Sequence, residues 1–305
     1  MTLFSRKLTA RSIFGLLLFV IGIAAIVYDF DAKTRHRALI SFFSSATSVK
    51  AVDDLATLEG KLVYAVGKPT GAKPIVDPDL GLKFDALYLR REVEIYQWVA
   101  YGSKKRKYRT QWVSRPVDST KFKRPDGHTN RGSLEFSNYE ARAEGVLING
   151  IPVDTSYLSD PKAKIVSVTE DMRSQLRPNI RDRYALQNGR LVEGGPVAVG
   201  RSDPERVGAN RVSYFAISPS RGLALGFMRE GRIVPANVEE YGNVGEFVVG
   251  WKDLSPKISR MERDFAGDRA MRLGFSIGMF LLAVIFIIRD FKTARKIVPP
   301  IKFGR

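Results

Sequence analysis

Two histidines and no cysteine narrow the chemistry open to this 305-residue chain. His128 follows Asp126 by two residues in the loop STKFKRPDGHTNRG, a spacing available to an acid–base pair or to part of a metal site. One His and one Asp fall short of a zinc ligand set, and the other histidine, His36, is remote in sequence. A structural loop role is therefore the stronger reading of His128. Glu92 and Glu94 would share one strand face, as paired-carboxylate catalysis requires, but the interleaved Arg90 and Arg91 favour a charge ladder. The chain has no GxGxxG, GKS/T or HExxH pattern. No catalytic, cofactor-binding or metal-binding set emerges, and we expect a non-enzymatic protein without a cofactor.

The elements that place these residues follow from hydrophobic period. In LRREVEIYQWVAY, residues 89–101, Leu89, Val93, Ile95, Val99 and Tyr101 fall on one side of a two-residue repeat. Arg90, Glu92, Glu94, Tyr96 and Trp98 fall on the other, which describes a half-buried strand. Arg91 and Gln97 interrupt the apolar side, so they sit at its edges or have partners that the pattern does not identify. The basic run GSKKRK and then YRTQWVSR complete a β-hairpin over residues 90–115, in which a near-symmetric register would bring Trp98 to Trp112. Two surfaces follow as expectations. Lys104, Lys105, Arg106, Lys107 and Arg109 form a candidate contact for an anionic surface, with edge protection as the plainer reading. Tyr96 and Trp98 form a candidate docking surface.

Two uncharged apolar runs, Ser12–Tyr28 and Leu273–Ile288, change the reading of the whole chain. Both are slightly short of the roughly 20 residues of a bilayer span, and Arg11, Arg272 and Arg289 can snorkel to extend them. A cleaved signal peptide is the alternative for the first run, since Arg6, Lys7 and Arg11 resemble its charged region and Gly22-Ile23-Ala24 a cleavage site. Arg6, Lys7 and Arg11 before the first run, and six Lys or Arg after the second, predict that both termini are cytoplasmic. The domain reading is a cytoplasmic tail (1–11), a first transmembrane helix (12–28), a juxtamembrane segment (29–58) and a mainly β extracytoplasmic domain (59–254). A juxtamembrane helix (255–272), a second transmembrane helix (273–288) and a basic cytoplasmic tail (289–305) complete it. The fold class expected is a membrane protein of α+β type, two terminal transmembrane helices flanking a large β domain.

The formal net charge is +17, and the two tails account for less than half of it. A basic middle region suits anionic lipid or acidic envelope polymer, and nucleic acid is excluded on the far side of a membrane. With no cysteine the domain has no disulfides and must rely on its core. Asn-x-Ser/Thr is absent, which fits a prokaryotic periplasm more readily than a eukaryotic lumen.

Along the middle, a strand is expected at Lys61–Val66, a turn at Asn149-Gly150, and further strands in RLVEGGPVAVG, RVSYFAIS, LALGFMREGRIVPA and EFVVGWKDL. EGKLV at 59, NGRLV at 188 and EGRIV at 230 read as shared turn chemistry and not as a repeat. Ile258, Met261 and Phe265, spaced by three and four, predict an amphipathic helix running into the last apolar run.

Glu59 to Val63, Asp77-Pro78, Leu89 to Trp98 with its Tyr-Gln-Trp, and Gly127-His128-Thr129-Asn130 together resemble the transmembrane protein 43 (LUMA) family. Arg211-Val212-Ser213-Tyr214 adds to the likeness, which covers most of residues 12–288. The roles of Gly127, His128 and Asn130 in that motif are unassigned. The resemblance implies a short, two-span, prokaryotic-type member: animal members carry several C-terminal spans, and here one span is followed by a basic tail. It implies a scaffold that self-associates and organises other membrane proteins, at the endoplasmic reticulum and inner nuclear membrane in eukaryotes or at the inner membrane of a bacterium. The alternative function is binding or handling of anionic lipid through the basic domain.

Overall fold

The computed structural model describes residues 10–50, 52–102, 107–156, 158, 163–195 and 203–297. The chain divides into two compact units, one built from its terminal segments and the other from Thr47–Lys252.

The terminal unit is a helix pair, α1 (Ala10–Ser44) and, after two short helices α2 (Glu170–Ser174) and α3 (Pro178–Arg181) of the middle unit, α4 (Ser255–Ile297). Both helices of the pair are long and apolar enough to cross a membrane. At 35 and 43 residues they would extend about 52 and 64 Å, well beyond a hydrocarbon layer of about 30 Å. Leu16, Leu17, Ile23, Val27, Phe275, Leu281 and Ile285 point outward and are exposed, as a lipid-facing surface requires.

Their contact follows one heptad. Gly15 meets Ala283, Phe286 and Ile287; Gly22 meets the Phe280 ring; Asp29 meets Arg269 and Arg272; His36 stacks on Phe265; and Phe43 lies under the Lys257 ammonium. These α1 positions are each seven apart, and their partners descend along α4, so the helices run antiparallel with a coiled-coil seam. The glycines make room for side chains of α4: a Cβ at Gly22 would be 3.2 Å from the Phe280 ring. The predicted amphipathic spacing of Ile258, Met261 and Phe265 lies on α4, continuous with its apolar run as expected.

The middle unit is mainly β, which agrees with the expected α+β class. Its first strands are β1 (Thr47–Val49), β2 (Leu62–Gly67), β3 (Ile75–Val76), β4 (Lys83–Phe84), β5 (Tyr88–Tyr101) and β6 (Lys107–Val113). There follow β7 (Tyr139–Arg142), β8 (Leu147–Ile148), β9 (Ile151–Pro152), β10 (Lys164–Val166), β11 (Tyr184–Gln187) and β12 (Arg190–Glu193). The last are β13 (Asn210–Ile217), β14 (Gly222–Arg229), β15 (Arg232–Val234), β16 (Ala236–Val238), β17 (Gly242–Val244) and β18 (Glu246–Val249). One sheet runs β1-β2-β14-β15 with β18 also on β14; the other runs β11-β12-β13-β5-β6, with β10 on β13 and β7 on β5. Val63, Ala65, Ala224, Met228 and Phe247 of the first sheet share a single core with Leu89, Val93, Val212, Tyr214 and Ala216 of the second.

Turn chemistry accounts for two of the three similar strand openings; the third, at Glu59-Gly60, follows a 3-10 turn over Val52–Leu58 and has positive φ at Gly60 alone. Asn188-Gly189 and Glu230-Gly231 close the β11–β12 and β14–β15 hairpins with positive φ at both residues, and Asn149-Gly150 does the same between β8 and β9. The PVAVG segment, 196–200, lies outside the described residues.

Candidate functional site

The hairpin forms as its pattern predicts, with Tyr88–Tyr101 antiparallel to Lys107–Val113, but its faces differ from expectation in two places. For Arg91 and Gln97 the second alternative holds: they are 1% and 2% exposed within the apolar side and have remote partners. Tyr101, assigned to that side, is exposed at the strand end. Trp112 stands opposite Tyr96, with ring centroids 5.1 Å apart, while Trp98 stands opposite Thr110, so the two tryptophans are one rung out of step.

Arg91 is the centre of a buried cluster. Its Nη1 donates to Asp77 Oδ1 at 2.6 Å, its Nη2 donates to Asp79 and to the Ser137 carbonyl, and its Nε donates to the same carbonyl at 3.1 Å. Asp77 is fully buried, and its Oδ1 also accepts from the backbone N–H of Asp79 and Leu80. Tyr214 Oη donates to Asp77 Oδ2 at 2.7 Å. Burial works against the Arg91 charge, but Asp79 and Asp77 outweigh it and hold the guanidinium above its ordinary value. Burial, with the Asp77 charge beside it, pushes the Tyr214 hydroxyl well above the usual range, so it stays a donor. Asp77 from one loop, Arg91 from β5 and Tyr214 from β13 are thus brought together from three of the segments that carry the family likeness. With Asp77 accepting on both oxygens and Arg91 donating from all three of its nitrogens, the cluster clamps two loops to the sheet, and of its carboxylates only Asp79 reaches the surface.

A second arrangement lies at the other end of β5. β13 accompanies β5 only as far as Ile95, after which Tyr96 bonds to Gly208 and Ala209. Asn130 then continues the ladder with its side chain: Oδ1 accepts from Trp98 N at 2.7 Å and Nδ2 donates to Trp98 O at 3.0 Å and to Val117 O at 3.1 Å. Gln97 Oε1 accepts from Val117 N, holding the start of the same loop. Gly127 turns the loop at a φ of +74°, and His128 enters between Trp98 and Tyr108, with ring centroids at 4.8 and 4.2 Å. The motif residues Gly127, His128 and Asn130 therefore act as turn, plug and strand substitute. Asp126 is exposed, and among the described residues no three His, Asp or Glu side chains converge as metal ligands would.

This clasp corrects the expected docking surface. Tyr96 and Trp98 lie on the outward side by parity but are 3% and 9% exposed, Tyr96 against Trp112 and Trp98 beneath the His128 loop. Neither ring is presented for a partner. The ladder reading of Glu92 and Glu94 agrees with their contacts: Arg90 pairs with Glu92 at 3.5 Å, and Arg211 Nε donates to Glu94 at 2.8 Å. Lys107 and Arg109 are exposed, with Arg109 donating to Gln111 and lying over the Tyr101 ring. Lys104, Lys105 and Arg106 lie outside the described residues.

A third cluster has no local signal in the sequence. Arg183 donates to both carboxylate oxygens of Glu135, at 2.9 and 2.8 Å, and to Glu193, while Tyr184 Oη donates to Glu135 at 2.6 Å. Asn210 donates to Glu193 through its backbone N and its Nδ2. Burial alone would raise the Glu193 carboxyl, but the bonds from Arg183 and Asn210 reverse the sign and hold it below its ordinary value. A depressed folded-state pKa contributes stability above the unfolded value of about 4.3 and loses it as pH falls through the folded one. Melting midpoints should therefore decline in acid below about pH 4.3. Glu193→Gln, compared with the parent protein in the same pH series, should show a shallower decline; an identical slope excludes Glu193 as a contributor.

The family model described as Transmembrane protein 43 matches residues 95–299. Similar curated proteins include transmembrane protein 43 of Mus musculus, 35% identical over 181 residues, covering 52% of this chain and 45% of that protein. The Drosophila melanogaster homolog is 28% identical over 156 residues, covering 45% and 41%. The Homo sapiens protein is 34% identical over 103 residues, covering 30% and 26%. Each match spans less than half of the relative's own length. No solved structure matches the chain.

Proposed function

The chain belongs to the transmembrane protein 43 family, and from that premise we propose that it is a non-enzymatic, membrane-anchored scaffold that organises other membrane proteins. One observation carries the reading: the buried titratable groups of the middle unit, Asp77, Arg91 and Tyr214, are bonded to one another and to backbone, which suits a rigid platform. The helix pair supports it by supplying two apolar segments joined along a continuous seam. We place both termini in the cytoplasm and the middle unit across the membrane, with self-association as part of the scaffold role.

Two measurements test this. Reporter fusions at Met1 and Arg305 should read as cytoplasmic and one after Gly150 as the opposite side; a mature chain starting near Ala25 overturns the retained first span. Deleting the chain from its native membrane should disperse the assemblies that co-purify with it in mild detergent. Assemblies of unchanged size and composition would remove the scaffold role.

A second reading, retention of anionic lipid, is favoured by the exposed Lys107 and Arg109 beside the hairpin turn. Native mass spectrometry of the full-length protein should then show anionic lipid lost at high salt and lost in a Lys107→Glu, Arg109→Glu variant. Retention that is indifferent to both rejects it.

A further inference from the structure

The outer face of the second sheet carries a polar group of a different kind from the hydrogen-bonded clusters. Parity on β13 puts Arg211, Ser213 and Phe215 on this face, opposite Glu94, Glu92 and Arg90 of β5. On the other flank Val192 stands opposite Arg211 and Leu191 opposite Val212, and Arg190, the next residue of β12, shares the parity of Val192 and so this face. Ser213 is 2% exposed, and among the described residues its Oγ has no hydrogen-bond partner. The Arg190 Nε is buried and also has none among the described residues. A buried donor left without an acceptor is costly, so such groups are rare and each calls for an explanation.

The charge on the face has the same sign as this deficit. Three arginines, Arg90, Arg190 and Arg211, face two carboxylates. Glu92 is held by Arg90 at 3.5 Å, and Glu94 takes Nε and Nη2 of Arg211. Burial, and after it the Arg190 charge, depress the Arg211 guanidinium despite Glu94, so Arg190 acts on Arg211 as a neighbouring cation. An anion between them would offset that effect. Arg211 is also fixed from its far side by the Trp112 ring, 4.5 Å away, and Arg90 by Phe215, 4.4 Å away, so the cations are positioned before any ligand arrives.

We propose that Arg190, Ser213 and Arg211 form a binding site for a phosphate-class oxyanion on the outer face of the second sheet. Arg190 and Ser213 each bring an unused donor and Arg211 brings charge, a combination that several acceptor oxygens on one centre satisfy better than a two-oxygen carboxylate. The inference is independent of the scaffold reading.

Inorganic phosphate is the probe, added at millimolar concentration to the full-length protein in detergent, against chloride of equal ionic strength. Phosphate should raise the melting midpoint in a saturable way, and Arg190→Gln and Ser213→Ala should each weaken the response by about tenfold or more. Without phosphate, Ser213→Ala should melt at or slightly above the parent midpoint, because it removes a buried hydroxyl with no partner; a purely structural serine would lower it. No phosphate-specific rise, or an equal rise in Arg190→Gln, overturns the site. Nanodiscs distinguish the source. If phosphatidic acid already holds the midpoint at its phosphate-saturated value, and phosphatidylcholine does not, the group is a lipid headgroup; an equal response to soluble phosphate in both assigns a soluble ester.

Discussion

Arg91→Met should lower the stability of the middle unit by about 3–5 kcal/mol, the usual consequence of removing one partner from a buried ion pair. Asp77 is left fully buried without its guanidinium, and the Ser137 carbonyl loses both of its donors. For a unit of this size that is a fall in melting midpoint of about 6–20 °C. The double variant Asp77→Leu, Arg91→Met should lose less than the two single variants together, because the uncompensated charge is gone and two apolar chains of similar length replace it. Melts of the four proteins in one detergent decide the matter. A single Arg91→Met protein that melts with the parent would show that the cluster does not hold the loops to the sheet.

How much of this was legible follows from how far apart the participants are in the chain. Strand period exposed Arg91 and Gln97 as residues out of place on an apolar face, which is a local signal. Their partners are remote: Asp77 lies in a preceding loop, and Tyr214 is on the far side of the sheet's crossover, |i−j| of 137 from Asp77. No window of sequence contains both. The tryptophans show the limit differently. Alternation fixed their face correctly, but rung depends on the number of turn residues, and the pairing of Trp98 with Thr110 moves Trp112 one rung along. Trp98 then read as outward because periodicity reports which side of a sheet a residue is on, not whether a distant loop returns to cover it. Here Gly127, His128 and Asn130 do return, and the motif quoted without a role turns out to be the cover.

Asp29→Leu should loosen the helix pair more than any apolar change along it. Asp29 is 5% exposed and accepts from Arg269 at 3.0 Å and Arg272 at 3.4 Å; its removal leaves two cations facing an apolar seam. The expected loss is again about 3–5 kcal/mol, reduced to the extent that the arginines snorkel to water. The deeper consequence is for register. Gly15 and Gly22 are seven residues apart, so a slide of one heptad would set one glycine where the other had met α4. Such a slide toward the centre of the apolar run would set Asp29 near Ser276 and away from both arginines, burying an unpaired carboxylate. The ion pair therefore specifies one register among several that packing alone permits, as a single polar position does in soluble coiled coils. The chain has no cysteine of its own, so His36→Cys with Phe265→Cys reports that register directly, the two rings being 4.0 Å apart in the parent. Oxidation should join this pair in nearly every molecule when Asp29 is present and in a minor fraction when it is leucine. Equal yields at 36–265 with and without Asp29 would mean that the aromatic and glycine contacts set the register unaided.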